Sequence, residues 1–302
     1  GKVMKLSEWM VKPTPQTEWI DKRGILFWLA VFFIELGAGA FFVGTIFKSI
    51  EAMLIGWLIC GVLGGGIHVL YLGHPFRFWR MVSKPGSSWI SRGLIFISVF
   101  LVLGLIYMIL TQVGSSSPIL MILADLFAFL SIVYAGFAMN YVNGIALWNT
   151  ALLPVLYAVS GLWGGAGLAL GIALASGNVS TVGISVEEWI RVLLISYVVL
   201  LIAYLISVRY TNPTGKFSVQ EIVAGKFKAL TWFVVVLLGL VVPVTVVLIS
   251  LNAGLENMPA AVLYFTILCE LLGDLTLRYL ILKEGLYSPL IASSAYPSAS
   301  GY

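Results

Sequence analysis

Eight apolar runs, each near 20 residues and separated by short polar stretches, organise the chain. They cover residues 24–47, 52–72, 89–111, 118–141, 148–175, 187–208, 229–251 and 260–283. Roughly 20 residues of α-helix cross the 30 Å hydrocarbon core of a bilayer. Lipid offers no partner to a free N–H or C=O, so each run is expected to be a helix. Pro118 opens span four, Pro154 falls in the first turns of span five, and Pro243 predicts a kink in span seven. Residues 1–23 form a polar lead-in with Trp9 and Trp19 as interfacial anchors, and they lack the apolar core of a signal peptide. Residues 209–228 (RYTNPTGKFSVQEIVAGKFK) make the longest polar connector, and 284–302 form a small-residue tail. The expected fold is an all-α integral membrane protein of eight transmembrane helices. Residues 24–141 and 148–283 are expected to form two four-helix bundles side by side.

Composition agrees. The chain is 60% hydrophobic and only 10% charged, against about 25% charged in soluble domains. Placement of the 17 Lys and Arg residues predicts orientation. With both termini on one face, that face holds 15 of them, including Arg77, Arg80, Lys84, Arg92, Arg209 and Lys226, while Lys48 and Arg191 alone fall on the other (15 + 2 = 17). The basic face and both termini are therefore expected in the cytoplasm, as in a bacterial or archaeal inner membrane. Glycine is frequent, with 31 residues. Leu36–Ala40 (LGAGA) and Trp163–Gly167 (WGGAG) suggest a faint parallel repeat between spans one and five, set against the common use of small residues at membrane helix crossings. No strand–turn–helix context makes these glycines a phosphate loop.

Cysteine and histidine exclude several chemistries. Cys60 and Cys269 lie far apart in apolar runs and no C-x-x-C occurs, so the chain is expected to hold no iron–sulfur cluster of its own. His68 and His74, the two histidines, are too few and too close for a diheme cytochrome, and neither heme nor another metal site is expected.

Polar residues inside the spans carry the chemical signal. A charge in hydrocarbon costs at least about 2.5–3.5 kcal/mol on insertion scales, so it requires a partner or a purpose. Glu35 lies mid-span in span one and Asp125 in the outer half of span four. Glu270, Asp274 and Arg278 recur at four-residue spacing along one face of span eight, where Asp274 and Arg278 can pair. His68 and Tyr71 close span two, and Tyr134 lies in the inner part of span four. These groups read either as staples between helices or as titratable groups that carry protons part-way across the membrane.

Between spans two and three the chain reads YLGHPFRFWRMVSK, a glycine–proline break followed by a basic, aromatic hinge (Gly73, Pro75, Arg77, Trp79). Tyr134 to Gly167 reads YAGFAMNYVNGIALWNTALLPVLYAVSGLWGGAG, with Trp148, Asn149 and Pro154 in a WNT-x-LLP string. Span eight carries Glu270, Gly273, Arg278, Tyr279 and Gly285 in an E-x-x-G-x-x-x-x-R-Y…G pattern. In these blocks, over residues 24–287, the chain resembles the NrfD/polysulfide-reductase membrane-subunit family. Two departures stand out: Tyr71-Leu72-Gly73-His74-Pro75 where the family often has His-Leu-Gly-Arg-Pro, and Glu35 where a small residue is common.

The resemblance implies a quinone-reactive membrane subunit with menaquinone or ubiquinone as electron carrier. It implies a four-cluster iron–sulfur partner, often joined to a molybdopterin or other catalytic subunit, with lipid and no nucleic acid among its contacts. It places a quinone pocket in the first bundle, and Tyr134 matches the family's quinone-contacting tyrosine. The remaining assignments rest on position and burial cost: Asp125 and Glu35 supply or accept protons, His68 and Tyr71 support the pocket, and Glu270, Asp274 and Arg278 form a further polar path. The rival readings are a proton-coupled transporter and a passive membrane anchor.

Overall fold

The computed structural model describes residues 8–72 and 88–290. Among the described residues, eight helices are long and apolar enough to cross a membrane: Gly24–Ile46, Ile50–Tyr71, Trp89–Gln112, Pro118–Asn140, Leu152–Ala175, Val179–Thr211, Leu230–Ala253 and Ala260–Lys283. They are numbered here as spans one to eight. Span one packs on spans two, four and five, span three on four, span five on six and eight, and span seven on eight. Span one is 67% buried by protein and span seven only 22%, so the first is central and the other faces lipid.

Close approach explains the glycines of the crossings. Gly39 and Ala40 of span one lie against Gly161 and Gly165 of span five, and a Cβ added at Gly39 or Gly165 would strike backbone atoms of the other helix. The two stretches that look alike in the sequence are thus the facing surfaces of one tight crossing. Gly239 and Gly273 do the same for spans seven and eight, where an added Cβ would lie 2.5–2.8 Å from the opposing Cα.

The turns on the face opposite the termini share one device. Lys48, Gly114, Gly177 and Gly254 each have positive φ just after spans one, three, five and seven. After the first three, the next N–H bonds back to the carbonyl five residues earlier: Ser49 to Gly44, Ser115 to Leu110 and Asn178 to Ala173, at 2.8–2.9 Å. These are Schellman-type caps that satisfy last-turn carbonyls.

The structure differs from the sequence expectation in three places. Span five starts at Leu152, because Trp148 and Asn149 bond to Ile145 in a preceding turn. Pro154 then occupies its first turn, where no N–H is required. Span six starts at Val179, eight residues earlier than the hydropathy suggested, and carries Glu187 and Arg191 within the helix as an i,i+4 pair at 2.8 Å. The 209–228 connector contains a helix, Pro213–Val223. Asn212 caps it by accepting from the Gly215 N–H at 2.7 Å, with Pro213 at its first position. In span seven the expected Pro243 irregularity takes the form of π-helical winding over Leu230–Val241, passing to α-helix at Val242.

On the basic face, Thr14–Pro15 pairs antiparallel with Leu286–Tyr287. Gln16 donates to the Leu282 carbonyl at 2.5 Å, Trp148 Nε1 to Ile281 at 2.7 Å, and Ser218 to Glu284 at 2.9 Å. The carbonyls that end span eight are therefore satisfied by three distant segments of the chain.

Candidate functional site

Three polar sites occupy the spans. The central one joins spans one, five, six and eight. Arg278 donates from Nε to Asp274 at 2.8 Å, from Nη1 to Glu35 at 2.5 Å and from Nη2 to the Ser160 hydroxyl at 2.6 Å. Ser160 in turn donates to Asp274 at 2.6 Å, as does Tyr197 at 3.2 Å. The guanidinium lies 4.4 Å from the centre of the Tyr157 ring. Glu35 and Arg278 are 1% and 3% exposed, so one cation and two acids share an environment nearly free of water. The planar, five-donor geometry of arginine allows it to serve three oxygens at once. Gly161 beside Glu35 leaves space for this side of the network.

A second set of buried polar side chains lies at similar depth toward the basic face, on spans two and four. Tyr134 is 1% exposed and its hydroxyl has no hydrogen-bond partner among the described residues. Its ring lies on span three at Gly93, where an added Cβ would overlap it. Both nitrogens of His68, itself 2% exposed, also lack partners among the described residues. His68 sits among aromatic rings, 6.2 Å from Phe27 and 6.1 Å from Tyr71 between centroids. Tyr71 continues to the surface, where it lines a cleft of about 770 Å³ with Thr17, Glu18, Asp21, Lys22 and Arg23. Tyr134 is six residues from the end of span four and His68 three from the end of span two, so by helical rise their Cα atoms differ by about 5 Å in depth.

The third group lies toward the opposite face. Asp125 accepts from Thr45 Oγ1 at 2.8 and 2.9 Å. Glu187 pairs with Arg191 and accepts from Ser250. Glu270 has one carboxyl oxygen buried without a partner.

Of the residues singled out in the sequence, the structure brings Glu35, Asp274 and Arg278 together, and places Tyr134, His68 and Tyr71 in one third of spans two and four. Asp125 stands apart. It is nine residues from Tyr134 on the same helix, about 13–14 Å away along the axis. Glu270 lies a turn beyond Asp274 and outside its hydrogen-bond network. Trp148 and Pro154 lock helix ends: Trp148 caps span eight with its ring tilted against Trp19 at 5.2 Å between centroids, and Pro154 lies against Gly136 of span four. Asn149 holds the turn after span four by donating to Asn140 at 2.7 Å. The hinge residues Gly73, His74, Pro75, Arg77, Trp79, Arg80 and Lys84 lie outside the described residues.

Sequence reasoning missed Ser160, Tyr157, Tyr197 and Glu187. Ser160 stood in the Ser-Gly pair of the span-five motif, and that was its only signal. Tyr197 is one of 13 tyrosines and nothing in its neighbourhood sets it apart.

Just past span eight, Glu284 is 8% exposed. Burial raises its pKa to about 7 and Glu221 adds to this, while Lys226 and Lys283 oppose it. The folded state therefore holds this proton more tightly than the unfolded chain. The stability it contributes is complete below the ordinary carboxylate range and is lost as pH rises through about 7. Melting temperature in detergent should fall between pH 5 and pH 8, and Glu284→Gln should fall less over that interval. Parallel curves for the two proteins would show that Glu284 does not set this slope.

No curated protein sequence is significantly similar to the chain. The model of one family, described as polysulphide reductase, NrfD, matches residues 22–289. That span takes in all eight helices and all three polar sites. The chain therefore belongs to the NrfD polysulphide reductase family, whose members are integral-membrane subunits of oxidoreductase complexes.

Proposed function

We propose that the chain exchanges electrons between a membrane quinone, menaquinone or ubiquinone, and an iron–sulfur partner subunit, with the quinone headgroup held near Tyr134. The observation that carries this reading is the buried, partnerless Tyr134 hydroxyl. An unsatisfied buried donor costs about 1–3 kcal/mol, and a quinone carbonyl oxygen is an acceptor of the right chemistry to relieve it. The unpaired nitrogens of His68 and the apolar rings of Phe27 and Tyr71 suit the same occupant. Reduction of a quinone consumes two electrons and two protons. Glu35 is the acid placed between this region and the Arg278 network, and its second oxygen, Oε1, is buried without a partner. In this reading Tyr134 orients the carbonyl and His68 supports the headgroup. Glu35, returned to its charge by Arg278, passes protons.

The arrangement we favour is two four-helix bundles, 24–141 and 148–283, meeting at the crossing of spans one and five, with the quinone in the first. The 15-to-2 distribution of basic residues favours cytoplasmic termini. The expected partners are a four-cluster iron–sulfur protein and, through it, a molybdopterin or other catalytic subunit.

The test is turnover of a short-chain menaquinol by the purified complex in nanodiscs. Tyr134→Phe keeps the ring and deletes the donor, so kcat/KM should fall roughly 5- to 150-fold, the equivalent of about 1–3 kcal/mol. A wild-type complex that neither binds nor oxidises the quinol overturns the redox reading. Equal rates for wild type and variant overturn the placement at Tyr134.

A further inference from the structure

Toward the opposite face, spans five to eight enclose a cavity of about 30 Å³, with Glu187 on one wall, Glu270 on another, and Ser250 and Thr266 beside them. A buried water needs about 10–15 Å³ by this measure and two to four polar partners. The cavity thus has room for about two waters, and Glu187, Glu270, Ser250 and Thr266 are the polar residues of a lining that is otherwise apolar.

Glu270 is the less usual of the two acids. It is ten residues into span eight, about 15 Å from that helix end. It is 3% exposed, and its Oε1 has no partner. Gly167 of span five makes the room, since an added Cβ there would strike the Glu270 carboxyl. Among the described residues no cation answers it: Arg278, two turns on, is engaged by Asp274, Glu35 and Ser160. The titratable groups near it on its own helix are Asp274 and Cys269, and across the cavity Glu187 with its partner Arg191. Spans five and seven offer Leu170, Ser250 and Val246 to the cavity, none of which titrates in the physiological range. An uncompensated carboxylate in such surroundings is costly, which favours the neutral acid. Glu187 differs. It pairs with Arg191, whose side chain is 26% exposed, so it connects the cavity to the opposite surface.

We infer that this cavity is a hydrated proton-exchange site, in which Glu270 carries a proton and exchanges it through one or two waters with Glu187 at the opposite face. Each exchange moves one proton from a carboxylic acid to water and back, and no electron is involved. The inference does not depend on where a quinone binds, and its test requires no turnover.

Infrared spectra of the purified protein in nanodiscs, taken through a switch from H₂O to D₂O, read the site directly. One component of the protonated-carboxyl stretch should be present in wild type, shift in D₂O, and be lost in Glu270→Gln, while any component from Glu284 remains. Glu187→Gln should keep the band and slow its exchange about tenfold or more. Thr266→Leu, which fills the cavity and keeps both acids, should slow it as well. Melting curves establish that each variant is folded. A spectrum unchanged by Glu270→Gln overturns the inference, and so does exchange at the wild-type rate in both Glu187→Gln and Thr266→Leu. A Glu270-dependent rise in melting temperature with Na⁺ over choline overturns it in favour of a bound cation.

Discussion

Replacing Arg278 with methionine is expected to cost about 3–5 kcal/mol, the range for breaking a buried ion pair by removing one partner. On the scale of soluble domains that is a drop of roughly 10 °C in melting temperature. The size follows from what remains. Asp274 keeps two donors, the hydroxyls of Ser160 and Tyr197. Glu35 keeps none among the described residues, since Arg278 is its one hydrogen-bond partner there and its Oε1 is already unpaired. Most of the penalty therefore falls on Glu35, and Glu35→Gln in the Arg278→Met background should recover part of the loss by removing the uncompensated charge. Arg278→Lys should lie between, because an ammonium keeps the charge but cannot reach three oxygens on three helices in one plane. Thermal melting followed by tryptophan fluorescence checks all four proteins. No recovery in the double variant would mean that Glu35 is not the stranded group. Glu35→Gln alone extends the series to function, because it removes the proposed proton carrier while leaving a hydrogen-bonding side chain for Arg278.

The spans and their order were legible because each is a nearly unbroken apolar run, and lipid leaves helix as the single solution for an isolated segment. Spans three, four and eight begin where the sequence placed them, at Trp89, Pro118 and Ala260. Span six was misread at its start because Glu187 and Glu188 interrupt the hydropathy. What keeps Glu187 inside the helix is Arg191 one turn on and Ser250 from span seven, and the second of these is a tertiary fact. The Pro213–Val223 helix was marked by Asn212-Pro213, a cap and first-turn pair, yet its polar composition hid it within a connector. The central network was half legible. Asp274 and Arg278 are a helical i,i+4 pair and can be read locally. The bond from Arg278 to Glu35 closes over 243 residues of sequence, and burial cost alone said that Glu35 required a partner without saying which. Tyr134 was found through a motif, and the reason it stands out physically, a buried hydroxyl without a partner, belongs to the structure.

Gly165→Leu should be nearly as damaging as Arg278→Met, for a connected reason. At Gly165 an added Cβ meets the carbonyl carbon and oxygen of Gly39 and the nitrogen of Ala40, all backbone. Backbone in a helix cannot rotate aside, so spans one and five must separate to admit a side chain. Overpacking of this kind costs about 1–3 kcal/mol or more. Gly66, in span two, has nothing within 4 Å of an added Cβ, and Gly66→Leu should leave the melting temperature nearly unchanged. The contrast separates a crossing effect from the general consequence of adding leucine to a membrane helix. Glu35 lies one turn from Gly39 on span one, and Ser160 is adjacent to Gly161 on span five. Prising the crossing apart therefore also draws Glu35 and Ser160 away from Arg278. If the close crossing is what holds the network in register, the losses from Gly165→Leu and Arg278→Met will overlap, and the double variant will be less destabilised than their sum by more than the 0.3–0.5 kcal/mol within which independent sites add. Strict additivity would mean that the glycine crossing and the buried charges hold spans one, five and eight together by separate means.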